Sequence, residues 1–238
     1  MYRLFQEFAH RYDVHTPPGH YRHDHEFVIS EALRVAPTNC HLLDIGCGTG
    51  VFLEAAIAAG IDGQGIDAAP EMIDVAKQRL GENRVRVQRM QEISEKNTYD
   101  IVCALSWTIH YCETAAELID VLKRCSRALR AGGLLILQVA NDERMTGEVN
   151  FDREPGPNGE PDDTFLIHRF RPLHDAEHRV IADYVYASRA FGELLSEQHE
   201  LRFANLSLIA DVGRRAGFKA VSVLNAFSLS PFVVGTTI

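Results

Sequence analysis

Between His41 and Val139, short apolar runs alternate with stretches of helical periodicity, and this alternation constrains the fold of the 238-residue chain more than any other feature. Residues 42–45 read as a buried strand and 51–59 as a helix. A second strand closes at Gly65-Ile66-Asp67, and 71–80 is helical. Strands follow at 85–88 and 99–105, then a long amphipathic helix at 115–129 and a fifth strand at 134–139. Such alternation implies βαβ units, hence a parallel sheet with helices on both faces. Right-handed crossovers then align the carboxyl ends of the strands along one edge, where open α/β sheets bind ligands.

The flanks read differently. Residues 2–13 place Phe5, Phe8, Ala9 and Tyr12 on one helical face before a turn-like Thr16-Pro17-Pro18-Gly19. A second helix is expected from about Asp24, with Phe27, Val28, Ala32, Leu33 and Val35 apolar, ended by Pro37. The Pro/Gly-rich stretch 154–161 is expected as a loop. Three strand-like segments, 164–171, 179–188 and 194–204, have no helix between them and predict an antiparallel meander. Helical periodicity returns at 206–216 and stops at Gly217, and two closing strands are expected at 218–226 and 231–237.

Acids outnumber Lys and Arg by 33 to 24, a net charge of −9. A nucleic-acid binder must neutralise phosphates, so DNA and RNA are not expected partners. With neither an apolar run of membrane-spanning length nor a signal-peptide pattern, the expected location is cytoplasmic, away from membranes. The five cysteines, Cys40, Cys47, Cys103, Cys112 and Cys125, form no C-x-x-C pair and are expected to be reduced. His20, His23 and His25 invite a metal reading, but an arginine lies among them and helical spacing separates His25 from the others; no metal is expected.

The chemistry concentrates in Asp44-Ile45-Gly46-Cys47-Gly48-Thr49-Gly50, which leaves the first strand and opens the first core helix. Glycines there let backbone approach a ligand, with helix N–H groups facing it; a tight structural turn would look the same. The second strand, however, ends at Asp67, where a carboxylate can accept both ribose hydroxyls of an adenosine ligand. The spacing is G-x-G-x-G rather than the G-x-G-x-x-G that seats a pyrophosphate, and Asp44 at the entrance would repel one. An acid suits the ammonium of S-adenosylmethionine instead.

Residues 41–50 together with Gly65-Ile66-Asp67-Ala68-Ala69-Pro70-Glu71-Met72-Ile73 resemble the first two motifs of the class I S-adenosylmethionine-dependent methyltransferases, and residues 129–136 resemble that family's turn into its fifth strand. The resemblance implies an α/β, Rossmann-like, seven-stranded sheet with an antiparallel last strand. It adds an N-terminal helical cap and a three-stranded antiparallel insertion over the substrate site, all in a single methyltransferase domain. The expected divisions are the cap at 1–38, a cofactor-binding core at 39–140, loop and lid at 141–204, and the last helix and hairpin at 205–238. Carried over, it places Asp44, Gly46, Cys47 and Gly48 around the methionine part of the cofactor and Asp67 on the ribose. Ala68, Met72, Met90 and Gln91 would neighbour the adenine, with Leu105 and Ser106 on the methionine side. The third strand of the family ends in an acid, but Arg89-Met90-Gln91-Glu92 stands there in this chain.

The meander resembles the insertion of glycine and amino-sugar N-methyltransferases, as does the stretch 109–118. The implied activity is methyl transfer from S-adenosylmethionine to a small molecule, leaving S-adenosylhomocysteine, with an amine favoured over a hydroxyl. A hydroxyl acceptor would need a base. His110 is the candidate, and a satisfied histidine on a helix-entry loop is its other reading. Tyr12 and Tyr21 in the cap would bond cofactor or orient substrate, or pack as core. His168, Arg169, Arg171 and His174 either meet an acidic substrate or form a solvated face. A catalytically silent cofactor-binding module is the alternative outside enzymes, and a homodimer is compatible with the family.

Overall fold

The structure, a computed structural model, describes residues 2–16, 18–153, 164–188, 192–225 and 228–237. The stretch 154–161, expected as a loop, lies outside the described residues. In chain order the elements of the first half are α1 (Tyr12–His15), α2 (Arg22–Val35), β1 (His41–Ile45), α3 (Val51–Ala58), β2 (Asp62–Asp67), α4 (Pro70–Leu80), β3 (Val85–Val87) and β4 (Tyr99–Ala104). There follow α5 (Ala115–Ala128), β5 (Leu129–Gln138), β6 (Val149–Arg153), β7 (Thr164–Pro172), β8 (Val180–Ser188), β9 (Glu193–Leu201), α6 (Leu206–Arg215), β10 (Lys219–Leu224) and β11 (Phe232–Thr236).

Seven strands form one sheet in the order β10-β11-β5-β4-β1-β2-β3. β1 pairs in parallel with β2 and β4, and only β11 runs against its neighbours, β5 and β10. The central strands are buried on both faces, which is why they read as continuous apolar runs. Leu43 and Ile45 pack with Leu118, Val121, Leu122 and Ile209 on the α5–α6 side. Leu42, one residue out of phase, packs with Val28, Ala32, Phe52 and Leu53 on the α2–α3 side. Helix starts follow local chemistry: Thr114 Oγ1 accepts from Glu117 N at 3.1 Å, Asn205 Oδ1 accepts from Leu208 N at 3.1 Å, and Pro70 opens α4.

The insertion is a separate antiparallel sheet, β6-β7-β8-β9. It has four strands, not the three expected. β6 is an edge strand held by its ladder to β7, with Val149 and Phe151 65% and 58% exposed, so burial patterning gives no sign of it. The N-terminal segment also departs from expectation. Instead of a helix over 2–13 there are 3₁₀ turns at Arg3–Phe5 and Ala9–Arg11, then the single turn α1. The backbone N–H groups of Arg3 and Leu4 are spent on Glu197 of β9, at 2.6 and 3.0 Å. The apolar side chains then diverge: Leu4 enters a cluster with Tyr186 and Leu195, while Ala9 packs with Ala69 and Met72. All five cysteines are buried and free. Among the described residues no helix is long and apolar enough to cross a membrane.

Candidate active site

The chain visits β2 and β3 between β1 and β4, yet β1 and β4 are neighbours; the crevice at their carboxyl ends is the switch point of the sheet. The glycine loop leaves β1 there. Gly46, Gly48 and Gly50 all have positive φ, +71°, +53° and +82°. A Cβ on Gly46 would overlap the Thr108 side chain, whereas one on Gly48 would meet nothing within 4 Å. Gly46 is thus fixed by packing, and Gly48 presents bare backbone to open space. Gly46 N and Cys47 N donate to Ile66 O at 2.8 and 3.0 Å, stitching the loop to β2.

Two carboxyls flank the loop. Asp67 Oδ2 accepts from Gly48 N at 3.0 Å and Oδ1 from Ala69 N at 2.8 Å, which leaves further lone pairs on both oxygens. Burial pushes its pKa up, and the backbone bonds hold it down in part. Asp44 is 2% exposed. Burial pushes its carboxyl up to about 8; a bond from Cys103 Sγ lowers it and the neighbouring Asp67 raises it.

The exit of β4 is strained. Ser106 and Trp107 sit in succession at φ +46° and +65°, a conformation that costs a non-glycine residue on the order of 1 kcal/mol. A chain of bonds over-determines it: Ser106 N donates to Gln138 Oε1 at 2.8 Å, and Gln138 Nε2 donates to Asp24 Oδ2 at 2.8 Å. The cap is fastened to the loop through Asp13, which accepts from Thr49 Oγ1 at 2.6 Å and pairs with Arg79. Arg79 Nε also donates to Thr49 O at 3.0 Å.

Two cavities meet here. The narrower is lined by Tyr12, Asp13, Thr16, Tyr21 and His25 of the cap together with Asp44, Gly46, Cys47, Gly48, Leu105 and Ser106. The wider, about 370 Å³, shares Tyr12, Thr16, Tyr21 and Ser106 with it and extends under the insertion to Trp107, Tyr111, Phe170, Tyr184, Tyr186 and His199. Its polar lining includes His20, Asp24, Gln138 and His168.

Eight of the residues singled out in the sequence therefore line the narrower cavity: Tyr12, Tyr21, Asp44, Gly46, Cys47, Gly48, Leu105 and Ser106. Asp67 lies immediately behind Gly48. Ala68 is exposed beside it. Met72 is 1% exposed and packed on Ala9 and Ala69, so it supports the wall without lining it. Met90 and Gln91 form a 3₁₀ turn after β3, where Gln91 Nε2 donates to Glu117 Oε1 at 2.6 Å. His168 lines the wider cavity, but Arg169 and Arg171 turn to Asp183 across the insertion sheet.

His110 does not reach either cavity. It is 1% exposed, its Nδ1 bonds Arg202 O at 2.7 Å, and its Nε2 accepts from Ala140 N at 2.8 Å. Burial holds its pKa down to about 4. With both ring nitrogens spent on backbone, it joins the exits of β5 and β9, and the geometry replaces the role of a base with a structural one. The three cap histidines part company: His20 lines the wider cavity, His25 the narrower, and the side chain of His23 is 97% exposed beside Glu26. Among the described residues no His, Cys, Asp and Glu group of three or more could hold a metal.

Sequence reading missed Asp13, Thr16 and Thr49, and most of the aromatic wall. Asp13 carried a faint signal, as an acid next to Tyr12 in the cap. Tyr111 lay in the stretch 109–118 without a role of its own, and Tyr184 and His199 carried no signal, because only the docking of β8 and β9 over the β4 exit brings the three together.

Residues 42–133 match the family described as Methyltransferase domain. A ubiquinone biosynthesis O-methyltransferase of Xanthomonas campestris pv. campestris is 31% identical over 116 residues, 46% of this chain and 47% of that protein. A putative methyltransferase of Bacillus subtilis is 25% identical over 173 residues, 70% of this chain and 61% of that one. The chain thus matches about half the length of the ubiquinone relative. Among solved structures, a S-adenosylmethionine-bound amino pentose methyltransferase from Micromonospora echinaspora superposes with a TM-score of 0.73 at 23% identity, covering 90% of both chains. A S-adenosylmethionine-dependent methyltransferase from Clostridium acetobutylicum gives 0.76 at 17% identity over 97% of this chain and 98% of that one. Residues 42–133 thus match a methyltransferase domain, and the fold is that of S-adenosylmethionine-dependent methyltransferases.

Proposed function

We propose that the protein transfers a methyl group from S-adenosylmethionine to a small-molecule amine held in the wider cavity. The observation that carries this reading is the junction of the two cavities at Tyr12, Thr16, Tyr21 and Ser106. It opens a carboxyl-lined glycine crevice directly into an aromatic chamber.

The residues present fit the cofactor. Gly48 leaves a backbone cradle that a Cβ would fill, Asp44 offers a buried carboxyl to an ammonium group, and Asp67 retains lone pairs for ribose hydroxyls. When bound, S-adenosylmethionine supplies an electrophilic methyl group on a positively charged sulfur. What remains for the protein is alignment, exclusion of water and accommodation of positive charge. The cap, tied down through Asp13, closes the crevice on one side and the insertion closes the chamber on the other. Tyr12, Tyr21, Trp107, Tyr111 and Tyr184 present aromatic surface, which stabilises a cation held against it. A neutral amine acceptor needs little beyond this, and the hydroxyl reading loses the base that the sequence offered, His110. A chamber of about 370 Å³ under a lid also suits a small molecule better than a macromolecule.

The test is incubation with methyl-labelled cofactor and panels of amines, amino sugars, phenols and sugars. Transfer to amines is expected. Tight cofactor binding with no transfer to any acceptor would leave a silent binding module, and transfer confined to phenols would move the reading to O-methylation.

A further inference from the structure

One polar constellation on the chamber wall has no part in cofactor binding. Tyr111, on the turn after β4, bonds through its hydroxyl to His199 Nδ1 at 2.7 Å. His199 Nε2 in turn lies 3.1 Å from Glu197 Oε2. Glu197 already accepts from two backbone N–H groups, Arg3 N and Leu4 N, one on each oxygen, so it faces the imidazole as an acceptor. That fixes the tautomer. Nε2 carries the ring proton toward Glu197, and Nδ1 receives the Tyr111 hydroxyl. The His199 and Glu197 side chains are 2% and 11% exposed. The ring of Tyr2 stacks on the imidazole at 3.8 Å, and Tyr184 meets it edge-on at 5.2 Å. Both Tyr111 and His199 line the chamber.

An oriented carboxylate–imidazole pair behind a hydroxyl is the arrangement that activates an O–H group for proton transfer. A chamber wall has no packing need for it, since two phenylalanines would fill the space without burying polar atoms. We infer that Tyr111, His199 and Glu197 form a relay that removes the proton from a protonated amine acceptor, with Tyr111 as the group that touches the acceptor and His199 and Glu197 as positioning residues. This rests on the reading of the protein as an amine methyltransferase.

The proton count is simple. An alkyl amine reaches the chamber as an ammonium ion whose lone pair is engaged in an N–H bond. That bond breaks, its electron pair stays on nitrogen, and the proton passes to Tyr111 Oη as the phenol's own proton passes to His199 Nδ1. The imidazolium so formed faces Glu197 until it returns its proton to water. No oxidant or second reactant is needed, and the freed lone pair then forms the new carbon–nitrogen bond as the carbon–sulfur bond breaks. Burial holds His199 toward its neutral, accepting form, with the bond to Glu197 opposing that shift. The same desolvation favours neutral amine in the chamber. The groups facing the imidazole are Tyr2 from the N-terminal segment, Tyr111 from the β4 turn, Tyr184 from β8 and Glu197 on its own strand.

His199→Gln and Tyr111→Phe test the relay, each assayed for S-adenosylhomocysteine binding, melting temperature and single-turnover methylation of an amine that the wild type accepts. Cofactor binding within about twofold of wild type is expected, with a methylation rate down about 100-fold, in the range of general-base catalysis. In His199→Gln only amine that is already neutral can react, so the acid limb of the pH–rate profile should move to higher pH, toward the amine's own ionisation, and the loss of rate should shrink as pH rises, which loss of packing would not produce. Rates within twofold of wild type in both variants, or a loss in His199→Gln that is the same at every pH, overturn the relay. Nitrogen NMR of the imidazole provides a readout independent of turnover: the proton should reside on Nε2 in the wild type, and a proton on Nδ1 overturns the proposal. If the wild type methylates nothing while Nε2 is protonated, it is the amine-methyltransferase reading that fails, and the hydrogen-bonded relay geometry stands.

Discussion

Asp44 is buried at the mouth of the glycine loop with its carboxyl pushed up to about 8, so at neutral pH much of it holds a proton. A cationic ammonium group placed against it would favour the ionised form and lower that pKa. The sign follows: below the lowered value the carboxyl must stay protonated, and affinity for the cofactor is weak. Affinity rises with pH up to about 8 and then levels off, and protons are released on binding. Calorimetry of cofactor binding in buffers of different ionisation heat measures that release. Asp44→Asn should abolish it and weaken binding by about tenfold or more, consistent with loss of a charge-assisted bond. Gly46 provides a second residue-scale expectation. Gly46→Ala combines a positive φ with overlap against Thr108, so it should destabilise the fold by about 1–3 kcal/mol in a denaturant melt. At Gly48, with the same sign of φ but open space, alanine should impair cofactor binding more than it impairs stability.

At the scale of elements, His110 acts as a joint. It ties the chain leaving β5, at Ala140, to the chain leaving β9, at Arg202, and so fixes the insertion sheet to the parallel core. Burial holds its folded pKa down to about 4, below the ordinary value of 6.5. The unfolded chain therefore binds the proton first, so this contribution to stability is complete above about pH 6.5 and is lost as pH falls toward 4. The loss is on the order of 3 kcal/mol, and His110→Gln should flatten that part of the stability–pH curve while methyl transfer persists. The same residue shows where sequence reading reaches its limit. Leu42, Ile45, Ile66 and Val102 announce their strands because burial on both faces forces local apolar runs. The loop from Asp44 to Gly50 and the acid at Asp67 are legible because a positive-φ turn, and a carboxylate that accepts from its backbone, demand particular residues at short spacing. Val149 and Phe151 of β6 escape because an edge strand is fixed by its partner's backbone rather than by burial. The N-terminal segment misleads because Phe5, Phe8, Ala9 and Tyr12 keep helical spacing while Leu4 is drawn under the insertion against Tyr186 and Leu195 and Ala9 onto Ala69 and Met72, contacts far along the chain. His110 looks like a base because nothing in its neighbours shows that Ala140 and Arg202 will occupy both ring nitrogens.

For the molecule as a whole, the two cavities exist only where three parts of the chain converge. The parallel core contributes Asp44, Gly48, Leu105 and Ser106; the cap contributes Tyr12, Asp13, Thr16 and Tyr21; and the insertion closes the far wall with Phe170, Tyr184 and His199. The cap carries little regular structure of its own, with 3₁₀ turns and one helical turn before α2. Its polar attachment to the core and the insertion runs chiefly through Asp13 with Thr49 and Arg79, and Glu197 with the N–H groups of Arg3 and Leu4. A segment held this way opens at a small fraction of the cost of global unfolding. A ligand that touches Tyr12, Thr16 and Tyr21 as well as the glycine loop therefore binds the closed cap and the core together. S-adenosylhomocysteine at about 100 times its dissociation constant should add about 2.7 kcal/mol of stability. That corresponds to a rise of roughly 5–10 °C in melting temperature for a chain of this length. If the cap closes on the ligand, tryptic cleavage at Arg3, Arg11 and Arg22 should slow in parallel, because cleavage requires the open segment. Asp13→Asn, which removes charge from the pairing with Arg79 while leaving the glycine loop intact, should restore fast cleavage at those arginines and reduce the thermal shift. A full thermal shift with unaltered cleavage would mean that the ligand engages the core alone and that the cap does not close on the cofactor.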